Sequence, residues 1–286
     1  MNFDIIDLPS ENMSERGEAQ ISLIIAHCIG LDFMGSLRTL TKSSAAGGGG
    51  VSAHYFIPQI SGQEIVKCHA DMLPSLEFRY PEQVPVFRLV REKNQAWHAG
   101  ASSWQYFNEQ PGRAQNLNAS TIGIEFHSPG YAKGDGSDLY FFENFSDEQI
   151  KTGCALIKEI CQRWSLPLTR VLAHSDIAPL RKTDPGAYFP WEFLAAQGLG
   201  LWWESAETLP PLAGINRVSY VQERLNSLGY DCPQSDVLDE HTQKVITAFR
   251  LHFMQDSWRI DDKSDAVALN GVIDDALLLK LAGIKE

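Results

Sequence analysis

The segment Leu172 to Gly186, LAHSDIAPLRKTDPG, brings a histidine, an Asp-Pro carboxylate and a lysine into one short stretch. Imidazole and carboxylate both suit zinc, and a catalytic zinc typically keeps three protein ligands with a fourth position open to water. His174 and Asp184 supply two of the three. The third is expected on a rigid element elsewhere. ISLIIAHCIG offers it, since the apolar run Ile21 to Ala26 reads as a buried strand that delivers His27 at its end. The expected ligand set is therefore His27, His174 and Asp184, with Lys182 two residues before the carboxylate and close to the metal's surroundings. Each residue alone also fits a plainer role, His27 as a hydrogen-bonded core histidine and Asp184 as a turn former.

A fourth residue comes from NASTIGIEFHSPG, where Thr121 to Phe126 reads as a short strand that places Glu125 between Ile124 and Phe126. Desolvation in such a run raises a carboxyl's pKa towards neutrality, which suits a group that takes a proton from water and returns it to a leaving amine. An edge-strand glutamate on a solvated face is the alternative. Cys28, next to His27, is discounted as a ligand because successive strand side chains point to opposite faces. By the same alternation His127 shares a face with Glu125 and reads as a structural histidine.

Strand-like runs at 21–26, 52–57, 64–67, 86–90, 121–126 and 169–173 alternate with helical stretches. The pattern predicts an α/β fold, a mixed central sheet flanked by helices. The clearest helix opens at Ser146 with a capping box to Gln149 and carries Ile150, Cys154, Ile157, Ile160, Cys161 and Trp164 on one face. Another runs from Pro190 to Gly198. Gly47 to Gly50 read as a mobile loop near the groove, since no Lys-Ser or Lys-Thr pair follows to make a phosphate cradle.

The strings HCIGLDFMGSLRTL, VSAHYFI, AWHAGASSW, NASTIGIEFHSPG and LAHSDIAPLRKTDPG stand in the order and approximate spacing of the zinc-dependent N-acetylmuramoyl-L-alanine amidases. The chain resembles this type 2 amidase family, whose fold is shared with peptidoglycan recognition proteins, over roughly Ile21 to Phe193. The resemblance implies that His27, His174 and Asp184 bind Zn²⁺, that Glu125 is the catalytic carboxylate, and that Lys182 stabilises an oxyanion. It also implies that His54 and His98 lie in or beside the substrate groove, and that the partner is peptidoglycan or its muropeptides. Two other functions fit the same residues: a non-catalytic peptidoglycan-binding protein, and a zinc peptidase cutting within the stem peptide.

Composition bounds the rest. Of 286 residues 44% are hydrophobic and 10% aromatic, enough for a sizeable core and against disorder over most of the chain. A net charge of -12, with 24 basic residues that form no long run, argues against nucleic acid and anionic membrane surfaces. Cys28, Cys68, Cys154, Cys161 and Cys232 have no paired spacing and read as free thiols. No apolar run reaches membrane-spanning length. The N-terminal MNFDIIDLPSENMSERGEAQ lacks the basic, apolar, small-residue progression of a signal peptide. Action on the wall would need another export route, delivery by a secretion machine or a longer natural N-terminus than this one, unless the substrate is cytoplasmic wall fragments.

After LGLWWESAETLPPLAG the pattern changes, and Pro210-Pro211 marks a linker. The division expected is a catalytic domain over 1–207 and a small, independent three-helix domain over 208–286. Its helices are carried by RVSYVQERLNSLGY with Gly229 as a stop, by DEHTQKVITAFRLHFM and by DDALLLKLAGI. Over roughly Ile215 to Ile284 this region resembles the peptidoglycan-binding domain of cell-wall hydrolases.

Overall fold

The computed structural model describes residues 2–71, 73, 75–105, 115–128, 145–204, 208–257 and 271–284. The expected boundary at 207/208 abuts undescribed residues 205–207. In chain order the strands are β1 (Ile5–Asp7), β2 (Met13–Glu15), β3 (Leu23–Ile29), β4 (Tyr55–Ile57) and β5 (Val86–Arg88). They continue with β6 (Asn94–Ala96), β7 (Ala101–Ser102), β8 (Gln115–Asn116), β9 (Thr121–His127) and β10 (Val171–Ala173). The helices are α1 (Phe33–Thr41), α2 (Gly62–His69), α3 (Asp147–Trp164), α4 (His174–Ile177) and α5 (Trp191–Ala196), followed by α6 (Arg217–Leu228), α7 (Glu240–Phe253) and α8 (Asp275–Gly283).

Among the described residues the main sheet has the order β1-β5-β4-β9-β3-β10. It is mixed: β4 and β5 run antiparallel, and every other neighbouring pair is parallel. The centre is β3 against β9. Leu23 to Cys28 are all buried, the continuous apolar reading of a strand covered on both faces. On one face Ile24, Ala26, Ile122, Ile124 and Phe126 pack against Ile150, Cys154, Ile157 and Ile160 of α3.

Helix α3 has the N-cap expected, with Ser146 Oγ accepting from Gln149 N at 3.2 Å. The other half of the box is not made. Gln149 is fully buried and its side-chain nitrogen donates to the carbonyls of Ile57 and His127, each at 2.9 Å, so it ties the helix to the ends of β4 and β9. Trp164, expected on the apolar face, is 38% exposed, and its indole N–H donates to Glu92 at 2.7 Å.

Residues 64–67, expected as a strand, lie inside α2. The apolar pair Ile65-Val66 imitated a strand, whereas Ser61 and Glu64 form a reciprocal capping box that starts a helix there. Gly47 to Gly50 do not form a loose loop. Gly48 N donates to Ser43 O at 2.9 Å and Gly49 N to Thr39 O at 3.1 Å, folding the tract onto the end of α1, where a Cβ on Gly49 would stand 2.6 Å from Thr39 Cγ2.

The opposite face of the sheet carries two patches. Towards the β5 edge, Phe56 and Phe87 pack with Phe33 and Leu37 of α1. Towards β10, Leu23, Ile25, Leu172 and Ile177 share one continuous cluster with Val221, Leu225, Tyr230, Phe249 and Leu278 of the C-terminal helices. Those helices form where expected, and α6 stops at Gly229 with φ 111°. Their packing is not that of an independent module, because their apolar faces close the core of the sheet. Each fully buried Leu or Phe there contributes about 2 kcal/mol. Among the described residues no helix is long and apolar enough to cross a membrane.

Because Phe249 is buried in the cluster that holds Ile25 and Leu172, Phe249→Ala should cost about 3–5 kcal/mol and lower a single unfolding transition of the whole chain. Denaturant titration followed by tryptophan fluorescence and far-UV circular dichroism checks this. A transition split in two, with the sheet's half unmoved, would contradict it.

Candidate active site

Parallel pairing brings the chemistry together. In the β3–β9 register His27 stands opposite Glu125, so both side chains leave the same face of the sheet. In the β10–β3 register Ala173 stands opposite Ala26, and the next residue, His174, opens α4 beside His27. The chain then turns, and Ser175 N donates to Asp184 O at 3.0 Å, bringing the Asp184 carboxylate back against both imidazoles. The site thus lies at the carboxyl ends of parallel strands, where open α/β sheets place their ligands.

His27 Nδ1 lies 2.9 Å from His174 Nδ1, and Asp184 Oδ2 lies 3.4 Å and 3.1 Å from those two atoms. Ligand bonds of about 2.0–2.1 Å in a tetrahedron leave ligand atoms roughly 3.3 Å apart, so the three donors have the spacing of one face of a tetrahedral zinc site. Among the described residues this is the cluster of donors able to hold a metal ion, and Cys28 is outside it. Burial, with the Glu125 and Asp184 charges, holds the Cys28 thiol well above its ordinary pKa.

The surrounding hydrogen bonds fix which imidazole nitrogen is free. His27 Nε2 is 2.9 Å from His98 Nδ1, His98 Nε2 is 3.1 Å from Thr121 Oγ1, and Thr121 Oγ1 donates to Leu117 O at 2.7 Å. Since the threonine proton is used on Leu117, His98 Nε2–H must donate to Thr121, which leaves His98 Nδ1 to accept from His27 Nε2–H. His27 Nδ1 is then the bare nitrogen that faces His174 and Asp184. Such outer contacts set the tautomer and orientation of a metal-binding histidine.

Electrostatics agree. Burial, then the neighbouring His174, pulls His27 down to about 4, so it is neutral at pH 7. Burial alone would raise the Asp184 carboxyl, but His174 and His27 outweigh it and hold it well below the usual carboxylate range. Glu125 goes the other way: burial, helped by the Asp184 charge and opposed by Lys182, pushes it up to about 8. Its Oε2 is buried without a hydrogen-bond partner, while the residue as a whole keeps some exposure. Lys182 is half-buried at the rim, its backbone N–H held by Ala178 O at 3.0 Å.

Four expected residues and the lysine therefore converge. His54 and His98, expected in or beside the groove, are both buried. His54 is fully buried beneath the site, with Nδ1 accepting from Gly123 N at 3.0 Å and Nε2 at 2.8 Å from Arg16 Nη2. His98 is 8% exposed and both its ring nitrogens are engaged. It sits against Gly123, where a Cβ would come within 2.5 Å of its ring. His127 packs among Phe33 and Phe56 with Nε2 2.8 Å from Leu31 O, a structural histidine.

Sequence reasoning missed two arginines. Arg16, 7% exposed, donates to the carbonyls of Glu92, Asn94 and Ala119 at 2.9, 2.8 and 2.5 Å and so ties the strands beneath the histidines together. Arg181 donates to Ala99 O and, at 2.8 Å, to Ala101 O, and reaches to 3.4 Å from His174 Nε2. Arg181 stood inside the LAHSDIAPLRKTDPG string, and its place next to Lys182 was the available signal. Nothing local marks Arg16.

Residues 17–187 match the family described as N-acetylmuramoyl-L-alanine amidase, Amidase_2. The chain belongs to this family. Across 252 residues it is 32% identical to the amidase AmiD of Escherichia coli K12, over 86% of this chain and 79% of AmiD. It is 34% identical over 106 residues to the 1,6-anhydro-N-acetylmuramyl-L-alanine amidase AmpD of Enterobacter cloacae, a match that spans 37% of this chain and 47% of that one. Two solved amidase structures resemble the whole fold. The Escherichia coli AmiD complex with anhydro-N-acetylmuramic acid-L-Ala-D-gamma-Glu-L-Lys has a TM-score of 0.67 at 27% identity and covers 96% of this chain and 97% of that one. The Pseudomonas aeruginosa AmpDh3 complex with anhydromuramic pentapeptide has the same score and identity, covering 97% and 94%.

The raised Glu125 pKa yields a stability test in metal-free protein. A carboxyl at about 8 in the fold and 4.5 unfolded holds its proton better when folded, so stability it supports below pH 4.5 is lost as pH rises through 8. The buried His27 and His54, lowered to about 4 and 3, act in the opposite sense and are complete by about pH 6.5. Between pH 6.5 and 8.5, chelator-treated wild type should therefore lose denaturant resistance relative to Glu125→Gln. Parallel profiles for the two proteins would refute the shift.

Proposed function

We propose that this amidase hydrolyses the amide that joins the lactyl group of N-acetylmuramic acid to L-alanine, in peptidoglycan or its muropeptide fragments, and that it does so as a zinc enzyme. The observation that carries the reading is the triad of His27 Nδ1, His174 Nδ1 and Asp184 Oδ2, mutually 2.9–3.4 Å apart, with the Glu125 carboxylate in register with His27 one strand away. The anhydromuramyl peptides bound by AmiD and AmpDh3 support the substrate class. For the helices over 208–286, the resemblance to wall-binding domains supports a role in holding the polymer.

Zinc held by His27, His174 and Asp184 would supply a Lewis acid and lower the pKa of water to about 7. The protein's own groups do the rest. Glu125, with Oε2 unpartnered and its pKa of about 8 in the metal-free site to be drawn down by the positive charge of a bound metal, accepts the proton of the attacking water and returns it to the departing alanine nitrogen. Lys182 places a fixed positive charge at the rim for the oxyanion that develops on the amide carbonyl. His98 keeps the His27 ring from turning, and the closely packed histidine floor excludes bulk water from below.

Digestion of sacculi or muropeptides should release stem peptides that begin with a free L-alanine amine and leave the glycan uncut. New reducing sugar ends, or cleavage within the stem with alanine still attached to muramic acid, would refute the assignment. Purified protein should carry about one zinc per chain, and His174→Ala should lose metal and activity together. Active protein without bound metal in elemental analysis would exclude the zinc role.

Glu125→Ala and Lys182→Ala should keep their zinc and their fold while kcat falls by roughly 10²–10³. Steady-state kinetics beside metal analysis decides this. Full turnover in Glu125→Ala would reduce that carboxylate to a structural part.

A further inference from the structure

Asp176 lies two residues after His174 and is fully buried, yet it faces away from the metal site. Its Oδ2 accepts from Ala173 N at 2.7 Å, reaching back over the start of α4. The same oxygen lies 2.7 Å from His252 Nδ1, and Oδ1 accepts from Tyr230 Oη–H at 2.6 Å. Tyr230 follows α6 and His252 ends α7, so both partners belong to the C-terminal helices. Each is 1% exposed.

The partners are themselves immobilised. The His252 ring stacks between Trp191 at 3.9 Å and Phe253 at 4.1 Å, and Tyr230 packs edge-on to Trp104 at 5.0 Å. Helix α4, by contrast, is four residues long, a single turn, and a turn of that length has no stability of its own. Its orientation is set by what grips it. Ser175 N holds the Asp184 carbonyl and Ile177 O accepts from Ser103 N at 2.8 Å, while Asp176 is gripped from the C-terminal side. His174 stands at the head of this turn.

We propose that Asp176, Tyr230 and His252 form a positioning unit through which the C-terminal helices hold the His174 corner of the metal site. The C-terminal region is then a structural part of the catalytic centre as well as any wall-binding element. This inference rests on the zinc reading above. A buried carboxylate that loses a partner must find another, and the one-turn helix is the element free to shift. A displacement of a fraction of an ångström at His174 is enough to loosen a tetrahedral site.

The test uses the full chain and Zn²⁺ alone, titrated in competition with a chromophoric chelator. Wild type must first bind one Zn²⁺ in a manner abolished by His174→Ala; if it does not, the zinc reading fails and the positioning role falls with it. Given that binding, Tyr230→Phe, which removes one hydroxyl and keeps the ring against Trp104, should bind Zn²⁺ about 10–100-fold more weakly and shift the visible spectrum of the Co²⁺-substituted protein. Val245→Ala, in the same apolar cluster but outside this network, should lower thermal stability and leave affinity and spectrum unchanged. His252→Asn, whose amide N–H can donate from near the place of Nδ1–H, should retain more affinity than His252→Ala. Wild-type affinity and an unchanged cobalt spectrum in Tyr230→Phe would overturn the proposal, whatever the fate of the histidine variants.

Discussion

Keeping several imidazoles neutral and close together in a dry place is the constraint on which this structure depends. His27, His54 and His98 are buried, and burial strips each of the proton it would carry in mildly acidic water. A neutral imidazole has one donor and one acceptor, so a packed group of them is stable only if every N–H meets a lone pair. The run from His27 through His98 and Thr121 to Leu117 O meets that condition with a single consistent direction of protons. Asp184 closes the other end as the negative partner of two rings. The parallel register of β3, β9 and β10 matters because it brings His27, Glu125 and His174 together at adjacent strand ends.

The same logic explains how much of the chain is enlisted. Arg16 sits beneath the histidines and spends its donors on the carbonyls of distant segments, so the strand ends cannot drift apart. The C-terminal helices complete the apolar layer on Leu23, Ile25 and Leu172 that the sheet alone would leave wet. Two regions that differ in sequence pattern on either side of Pro210-Pro211 therefore share one hydrophobic interior.

The candidate ligand residues His27, His174 and Asp184 were legible in the sequence because each sits at the end of an apolar run or inside a dense polar string, and strand alternation alone separated His27 from Cys28. Glu125 stood out as a charge among Ile124 and Phe126. What could not be read were pairings fixed by the tertiary register. His98 reaches His27 across 71 residues and Arg16 meets Thr121 O across 105, and neither leaves a local trace. The family resemblance implied that His54 and His98 lie in or beside the groove, whereas contacts from distant segments, Gly123 N to His54 and His27 and Thr121 to His98, hold both rings in the interior. Ile65-Val66 suggested a strand, and the Ser61–Glu64 cap beside it carried the stronger signal. The three C-terminal helices were visible in their periodicity, whereas their fusion with the sheet depended on which face met Leu23 and Ile25.

Gly123 in the middle of β9 leaves the gap that the His98 ring fills, and its N–H is the donor to His54. A glycine in a central strand weakens that strand, and the usual engineering remedy is to add a side chain that packs. Here the remedy would push a ring that is hydrogen-bonded to His27. The strand's weak point and the site's precision are one piece of geometry, so thermostabilising this enzyme by improving its most central strand would trade directly against its chemistry. Gains would have to come from the periphery, such as the exposed face of α3, away from the histidine floor.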